Sequence, residues 1–127
     1  MEYVAIVTIL IVLQTFWFSF EVGKARGKYG VKAPACSGAP EFERAYRVHQ
    51  NTIEQLVLFL PSLWVFAMYA HALGAAALGV VFMLGRALYS SSYRRDPSSR
   101  SAGFGIGAVA LAVAALGGLG AVVYQLI

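Results

Sequence analysis

Charge is scarce in this sequence. Ten lysines and arginines and six aspartates and glutamates make up 13% of its 127 residues, while 59% are hydrophobic. A soluble domain carries about 25% charged residues. A short chain with about half that share cannot cover its own surface with polar groups, so the composition excludes an ordinary soluble domain and points to a membrane protein. Cysteine is nearly absent as well. Cys36 stands alone, which excludes an intrachain disulfide, and in its Pro34–Pro40 loop it reads as an incidental thiol. There are only two histidines, His49 and His71. They fall at opposite ends of an apolar run, so no metal-ligand cluster is expected. The shortage of acids leaves a net charge of +4, which raises nucleic acid as a partner. That reading is rejected because the basic groups sit beside apolar runs, where membrane orientation and anionic headgroups explain them more simply. "GFGIG" at Gly103–Gly107 lacks the spacing and the preceding strand of a nucleotide fingerprint.

What the chain has in abundance is long apolar runs: Val4–Phe20, Leu56–Ala70, Leu73–Leu88 and Phe104–Ile127. Each approaches the ~20 residues needed to cross a hydrocarbon core. The middle two need flanking polar turns to complete a span. Only His71 and Ala72 separate them, which predicts a tight helical hairpin. Helices satisfy their own backbone groups in lipid. The expected fold is therefore an all-α integral membrane protein, a four-transmembrane-helix up-down bundle forming one domain over residues 1–127. The helices are expected at about 3–26, 40–70, 73–94 and 97–127. With Glu2 ahead of it and no small-x-small site after it, the first run is expected to be a retained helix.

All ten basic residues fall in two places. Lys24, Arg26, Lys28, Lys32, Arg44 and Arg47 lie between the first two spans, and Arg86, Arg94, Arg95 and Arg100 lie around the 3–4 connection. An up-down bundle puts both connections on one side. The positive-inside rule makes that side cytoplasmic and both termini external.

The segment "FERAYRVHQNTIEQLVLFLPSLW" runs polar groups straight into a span. A helix from Pro40 to Ala70 is ~45 Å long at 1.5 Å per residue, so its first turns project into the interface. Arg44, Arg47, Asn51 and Glu54 step by three, four and three and share one face. Glu54 sits at the membrane boundary, where an ionisable residue implies a function and a partner; Arg47 is the nearest candidate. Arg86, Tyr89 and Tyr93 form a second stripe, for which an aromatic belt with a snorkelling arginine is the plain alternative. Asp96 can cap and Pro97 can open the fourth helix, placing Arg100 in its first turn. A cation is disfavoured there, which suggests that an anion arrives. The topology gathers Arg26, the Arg47–Asn51–Glu54 stripe, Tyr89, Tyr93 and Arg100 into one interfacial layer. Such a layer suits a small, zwitterionic, multiply acidic ligand, since arginines grip carboxylates and Glu54 can receive an ammonium.

These segments resemble a known family. "FERAYRVHQNTIE", "GRALYSSSYRRDPSSRS" and "KARGKYGVKAP" are similar to the signatures of the membrane-associated proteins in eicosanoid and glutathione metabolism (MAPEG). The type-three microsomal glutathione transferases are its nearest branch in pattern, with leukotriene-forming synthases beside them. One departure is that Gln55, Leu56 and Val57 follow Glu54, and proline waits until Pro61. The resemblance implies a homotrimer binding glutathione between subunits at the cytosolic interface. It implies that Arg47, Asn51, Glu54, Tyr89 and Tyr93 hold glutathione, that Arg26 and His49 approach from the adjacent subunit, and that Arg100 supports the thiolate, with Tyr93 its rival for that catalytic role. A free thiol has a pKa of about 8.5, and a guanidinium and a helix amino terminus favour its anion. The expected reaction is thiolate attack on a lipophilic electrophile or a lipid hydroperoxide, with glutathione as co-substrate and no metal. A non-catalytic lipid-binding or activating protein of the same fold is the alternative. The glycines of helix four (Gly103, Gly105, Gly107, Gly117, Gly118, Gly120) are expected to serve close packing between subunits. The Ala/Gly-rich spans favour a bacterial cytoplasmic membrane over the endoplasmic reticulum.

Overall fold

The computed structural model describes all 127 residues. Four helices follow one another: α1 (Glu2–Tyr29), α2 (Pro40–Tyr69), α3 (Ala72–Arg95) and α4 (Ser101–Tyr124), the last preceded by a 3-10 turn at Pro97–Ser99. All four are long and apolar enough to cross a membrane. α1 packs on α2 and α3, and α4 packs on the other two sides of the same α2–α3 hairpin.

The helix ends have local causes. α1 runs past residue 26 to Tyr29 and stops at Gly30, whose φ of 69° no side chain adopts easily and whose N–H bonds back to the Arg26 carbonyl. At the α2–α3 turn, His71 Nδ1 accepts from the Gly74 N–H at 2.8 Å and caps α3. Asp96 accepts from the Ser98 N–H at 3.0 Å and from its hydroxyl at 2.7 Å. These bonds hold the Asp96 carboxyl below its ordinary pKa. They also tighten the connection into a 3-10 turn, so α4 begins at Ser101 and Arg100 is its N-cap residue rather than part of its first turn. The carboxyl end of α4 is Tyr124, short of the expected residue 127.

The core is a column of small and medium apolar side chains. Val4, Val7 and Ile11 of α1 meet Phe59, Leu63 and Ala67 of α2, Ala75, Ala76 and Phe82 of α3, and Ala110 and Ala114 of α4. Phe59 and Phe82 stack with centroids 3.9 Å apart. The outer faces carry exposed Phe16, Trp17, Leu58, Leu84, Val109 and Leu116, as a lipid-facing surface requires. In lipid, helices associate through close packing and interhelical hydrogen bonds rather than hydrophobic expulsion. Both occur here. Gln14 Nε2 donates to the Met83 carbonyl at 2.9 Å and Trp64 Nε1 to Thr8 Oγ1 at 3.2 Å.

The tightest approach is between α3 and α4. A Cβ on Gly103 would lie 2.3 Å from the Tyr89 backbone nitrogen and 2.6 Å from its Cα. Gly103, Gly107 and Gly118 are buried inside the subunit, and a Cβ on Gly117 would meet the Phe66 ring at 2.6 Å. These four glycines serve packing within one subunit, contrary to the intersubunit role expected of them. Gly105 and Gly120 have open space at the Cβ position.

Candidate functional site

The two basic connections meet at one end of the bundle. Arg44 Nη1 donates to the carbonyls of Arg94 and Arg95, each at 3.3 Å, and Arg94 pairs with Glu21 at 3.0 Å. Two neighbouring clefts open there. One, of about 420 Å³, is lined by Asn51 of α2, Tyr89 of α3, and Arg100, Ser101 and Phe104 at the start of α4. The other, of about 370 Å³, includes Arg44, Tyr46 and Arg47 of α2, Tyr93 of α3, Pro97 and Cys36. Tyr89 and Tyr93 stack with centroids 5.5 Å apart and link the two.

The expected ligand residues divide as follows. Asn51, Tyr89 and Arg100 line the first cleft, and Arg47 and Tyr93 the second. Glu54 lines neither, but its carboxylate lies 3.7 Å from Arg47 Nη1, with both side chains more than half exposed. Arg26 turns to its own loop. It donates to the Ala35 carbonyl at 2.8 Å and sits over the Phe42 ring at 4.9 Å, outside both clefts. His49 is half-buried and lines neither cleft. The largest cavity, of about 560 Å³, is lined by Glu21, Lys24, Lys28, Glu41 and Arg94 among others and holds none of the expected ligand residues.

Arg100 is exposed and has no carboxylate partner, since the four ion pairs join other groups. It stands at the amino end of a 24-residue helix, whose unpaired N–H groups add positive potential. The arrangement can attract and hold an anion at the membrane boundary.

One residue was placed differently by its sequence pattern. Arg86 does not snorkel. It is 1% exposed and is the largest fully buried side chain of the protein. Its Nη2 donates to Asn51 Oδ1 and to Thr52 Oγ1, both at 2.9 Å, and its guanidinium carbon lies 4.2 Å from the centre of the Tyr89 ring. The only signal available in the sequence was its shared face with Tyr89 and Tyr93.

Fold and site together define a multi-pass integral membrane protein with a basic, aromatic cleft at one membrane boundary. The family model described as "MAPEG family" matches residues 4–120, and the chain belongs to that family. It is 42% identical to an uncharacterized protein of Synechocystis sp. over 96% of this chain and 89% of the relative. It is 42% identical to microsomal glutathione S-transferase 2 of Homo sapiens over 91% of this chain and 80% of that protein. Leukotriene C4 synthase of Bos taurus shares 41% identity over 89% of this chain and 78% of its own length.

Proposed function

We propose that the protein is a membrane-bound glutathione transferase that conjugates glutathione to lipophilic electrophiles, or reduces lipid hydroperoxides, through an arginine-stabilised thiolate. The observation that carries this reading is the cleft of Asn51, Tyr89, Arg100, Ser101 and Phe104, with an unpaired guanidinium at a helix amino terminus. Its relatives' names, a glutathione transferase and a leukotriene C4 synthase, supply the substrate class. Glutathione is anionic at two carboxylates and carries one ammonium. Arg47, Asn51, Tyr89, Tyr93 and Arg100 line the clefts that would hold it, and Glu54 beside Arg47 offers a carboxylate for the ammonium, while Glu43, which also lines the second cleft, accepts from the Gly38 N–H. Arg26 and His49 would reach it only from a neighbouring copy, and this asks for the homotrimer. The open Cβ positions of Gly105 and Gly120 are compatible with such a neighbour.

Arg100 is assigned the catalytic electrostatic role. Lowering a thiol pKa by two units takes about 2.7 kcal/mol of differential stabilisation, and a guanidinium at a helix amino terminus supplies favourable terms of that kind. The Tyr93 hydroxyl is the rival partner of the thiol. The thiolate attacks the electrophilic carbon and expels its leaving group, or attacks the terminal hydroperoxide oxygen and breaks the O–O bond. In the second case the alkoxide takes a proton and leaves as the alcohol, and the glutathione sulfenic acid is converted by a second glutathione to the disulfide and water. The lipophilic substrate arrives from the bilayer, against the exposed apolar faces. The basic end is assigned to the cytoplasm and both termini to the opposite side, in a bacterial cytoplasmic membrane.

The test is direct. Protein purified in mild detergent is assayed for binding to glutathione, then for conjugation of a generic aryl halide and reduction of a lipid hydroperoxide. Binding with turnover supports the reading. Lipid binding with no glutathione binding would leave the lipid-presenting alternative in its place.

A further inference from the structure

Arg86 is a buried cation without a buried anion. None of the four ion pairs involves it, and its Nε has no hydrogen-bond partner. A guanidinium in that setting is costly and persists where it serves a purpose. Its fixed contacts show what it touches. The Thr52 hydroxyl donates its proton to the Val48 carbonyl at 2.7 Å, so Thr52 Oγ1 meets Arg86 as an acceptor. The Tyr89 ring covers one face of the guanidinium, and both Nη2 hydrogens are spent on Asn51 and Thr52.

The consequence falls on Asn51. A guanidinium has donors only, so the atom of the Asn51 amide that faces it must be the oxygen. This fixes which way round the amide stands on chemical grounds alone. Oδ1 is committed inward to Arg86. Nδ2 has no partner in the protein and is not among the buried unpaired atoms, so it is the end left to the cleft that Asn51 lines with Tyr89 and Arg100.

We propose that Arg86 is a positioning residue that stands behind the cleft and holds the Asn51 amide with its NH₂ toward the ligand. Asn51 then selects a hydrogen-bond acceptor on the ligand, a carboxylate or carbonyl oxygen or a thiolate, and disfavours an ammonium or another donor. This rests on the reading of the cleft as a glutathione site. R86K keeps the charge, but the lysine ammonium ends one atom short of the Nη2 that bonds both Asn51 and Thr52 and has no planar group to stack on Tyr89, so the substitution releases the amide to rotate.

The test is a double-mutant cycle on the full-length protein in detergent, with glutathione as the probe. R86K is expected to raise the glutathione KM about tenfold, the scale of one lost hydrogen bond to a charged group, with kcat changed less. In an N51A background R86K should add almost nothing. An equal KM effect in both backgrounds would make Arg86 a packing residue and overturn the proposal. N51D gives an independent reading should R86K fail to fold. Its carboxylate pairs with Arg86, so the melting temperature holds or rises, while an acceptor now faces the ligand and calorimetric glutathione affinity falls at least tenfold. Unchanged or tighter glutathione binding by N51D, with wild type binding normally, would overturn the positioning role alone. Wild type that binds no glutathione at all would overturn the site reading and this proposal with it.

Discussion

Replacing Gly103 with alanine places a methyl group inside a helix contact that has no room for it. The added Cβ would lie 2.3 Å from the Tyr89 nitrogen, 2.6 Å from its Cα and 2.9 Å from the Gly85 oxygen. Carbon requires about 3.5 Å from such atoms, so α3 and α4 must part by about 1 Å at this level. All three obstacles are backbone, so no rotamer change relieves the clash. Overpacking typically costs 1–3 kcal/mol, and G103A is expected at about 3 kcal/mol or above. The control lies two residues on. A Cβ on Gly105 meets nothing within 4 Å, and alanine in a helix is favoured over glycine by about 0.5–1 kcal/mol. G105A is therefore expected to be neutral or more stable. Thermal unfolding in detergent reads both, with the G103A midpoint falling and the G105A midpoint unchanged or raised. Because the parted backbone includes Tyr89, and Arg100 and Phe104 flank Gly103, glutathione conjugation should fall in G103A even below its unfolding temperature. Midpoints for G103A and G105A that both match wild type would refute the close packing that builds the cleft.

Three further outcomes follow. R100A is expected to retain glutathione binding through Arg47 and Asn51, while turnover falls by roughly one to three orders of magnitude, as for one lost electrostatic stabiliser; raising the pH should restore part of the rate, and full activity in R100A with loss in Tyr93→Phe would move the role to Tyr93. E54Q is expected to change stability by less than about 1 kcal/mol, because the Arg47–Glu54 pair is more than half exposed on both sides, while calorimetry should show weaker glutathione binding through the lost ammonium partner. The depressed Asp96 carboxyl contributes to the 3–4 connection at any pH above its ordinary pKa, and that contribution is lost as the pH falls through the lowered one; the hydrogen-exchange protection factors of Ser98 and Ser99, taken relative to the unstructured-peptide rate at each pH, should fall only in that acid range, and a fall already near neutral pH would contradict it.

Much of this molecule could be read from one-dimensional pattern, and what escaped was contact between distant residues. Apolar runs and their polar borders predict four helices and the α2–α3 hairpin, because length and composition alone decide what can cross lipid. The sequence pattern ends α1 at about residue 26, yet the helix continues to Tyr29, which packs against the cluster of Val22, Ala25, Val31, Phe42 and Ala45. Helical spacing correctly puts Arg47 and Glu54 within reach. It could not show that Arg26 is held by the Ala35 carbonyl and Phe42, because loop conformation decides that contact. Nor could it show that Arg86 is buried. The acceptors that allow this, Asn51 and Thr52, lie 35 and 34 positions away on another helix. The glycines of α4 illustrate the same limit: composition marks a close-packing helix, while only the α3–α4 geometry says that Gly103 faces Tyr89.

The central claim is that this cleft binds glutathione and ionises its thiol. The most direct measurement mixes purified wild-type protein with glutathione at neutral pH and follows thiolate ultraviolet absorbance together with proton release. The account predicts a thiolate signal that saturates with glutathione, accompanied by released protons, and a much smaller signal in R100A at equal occupancy. Saturable glutathione binding with no thiolate and no proton release, in wild type as in R100A, would contradict it.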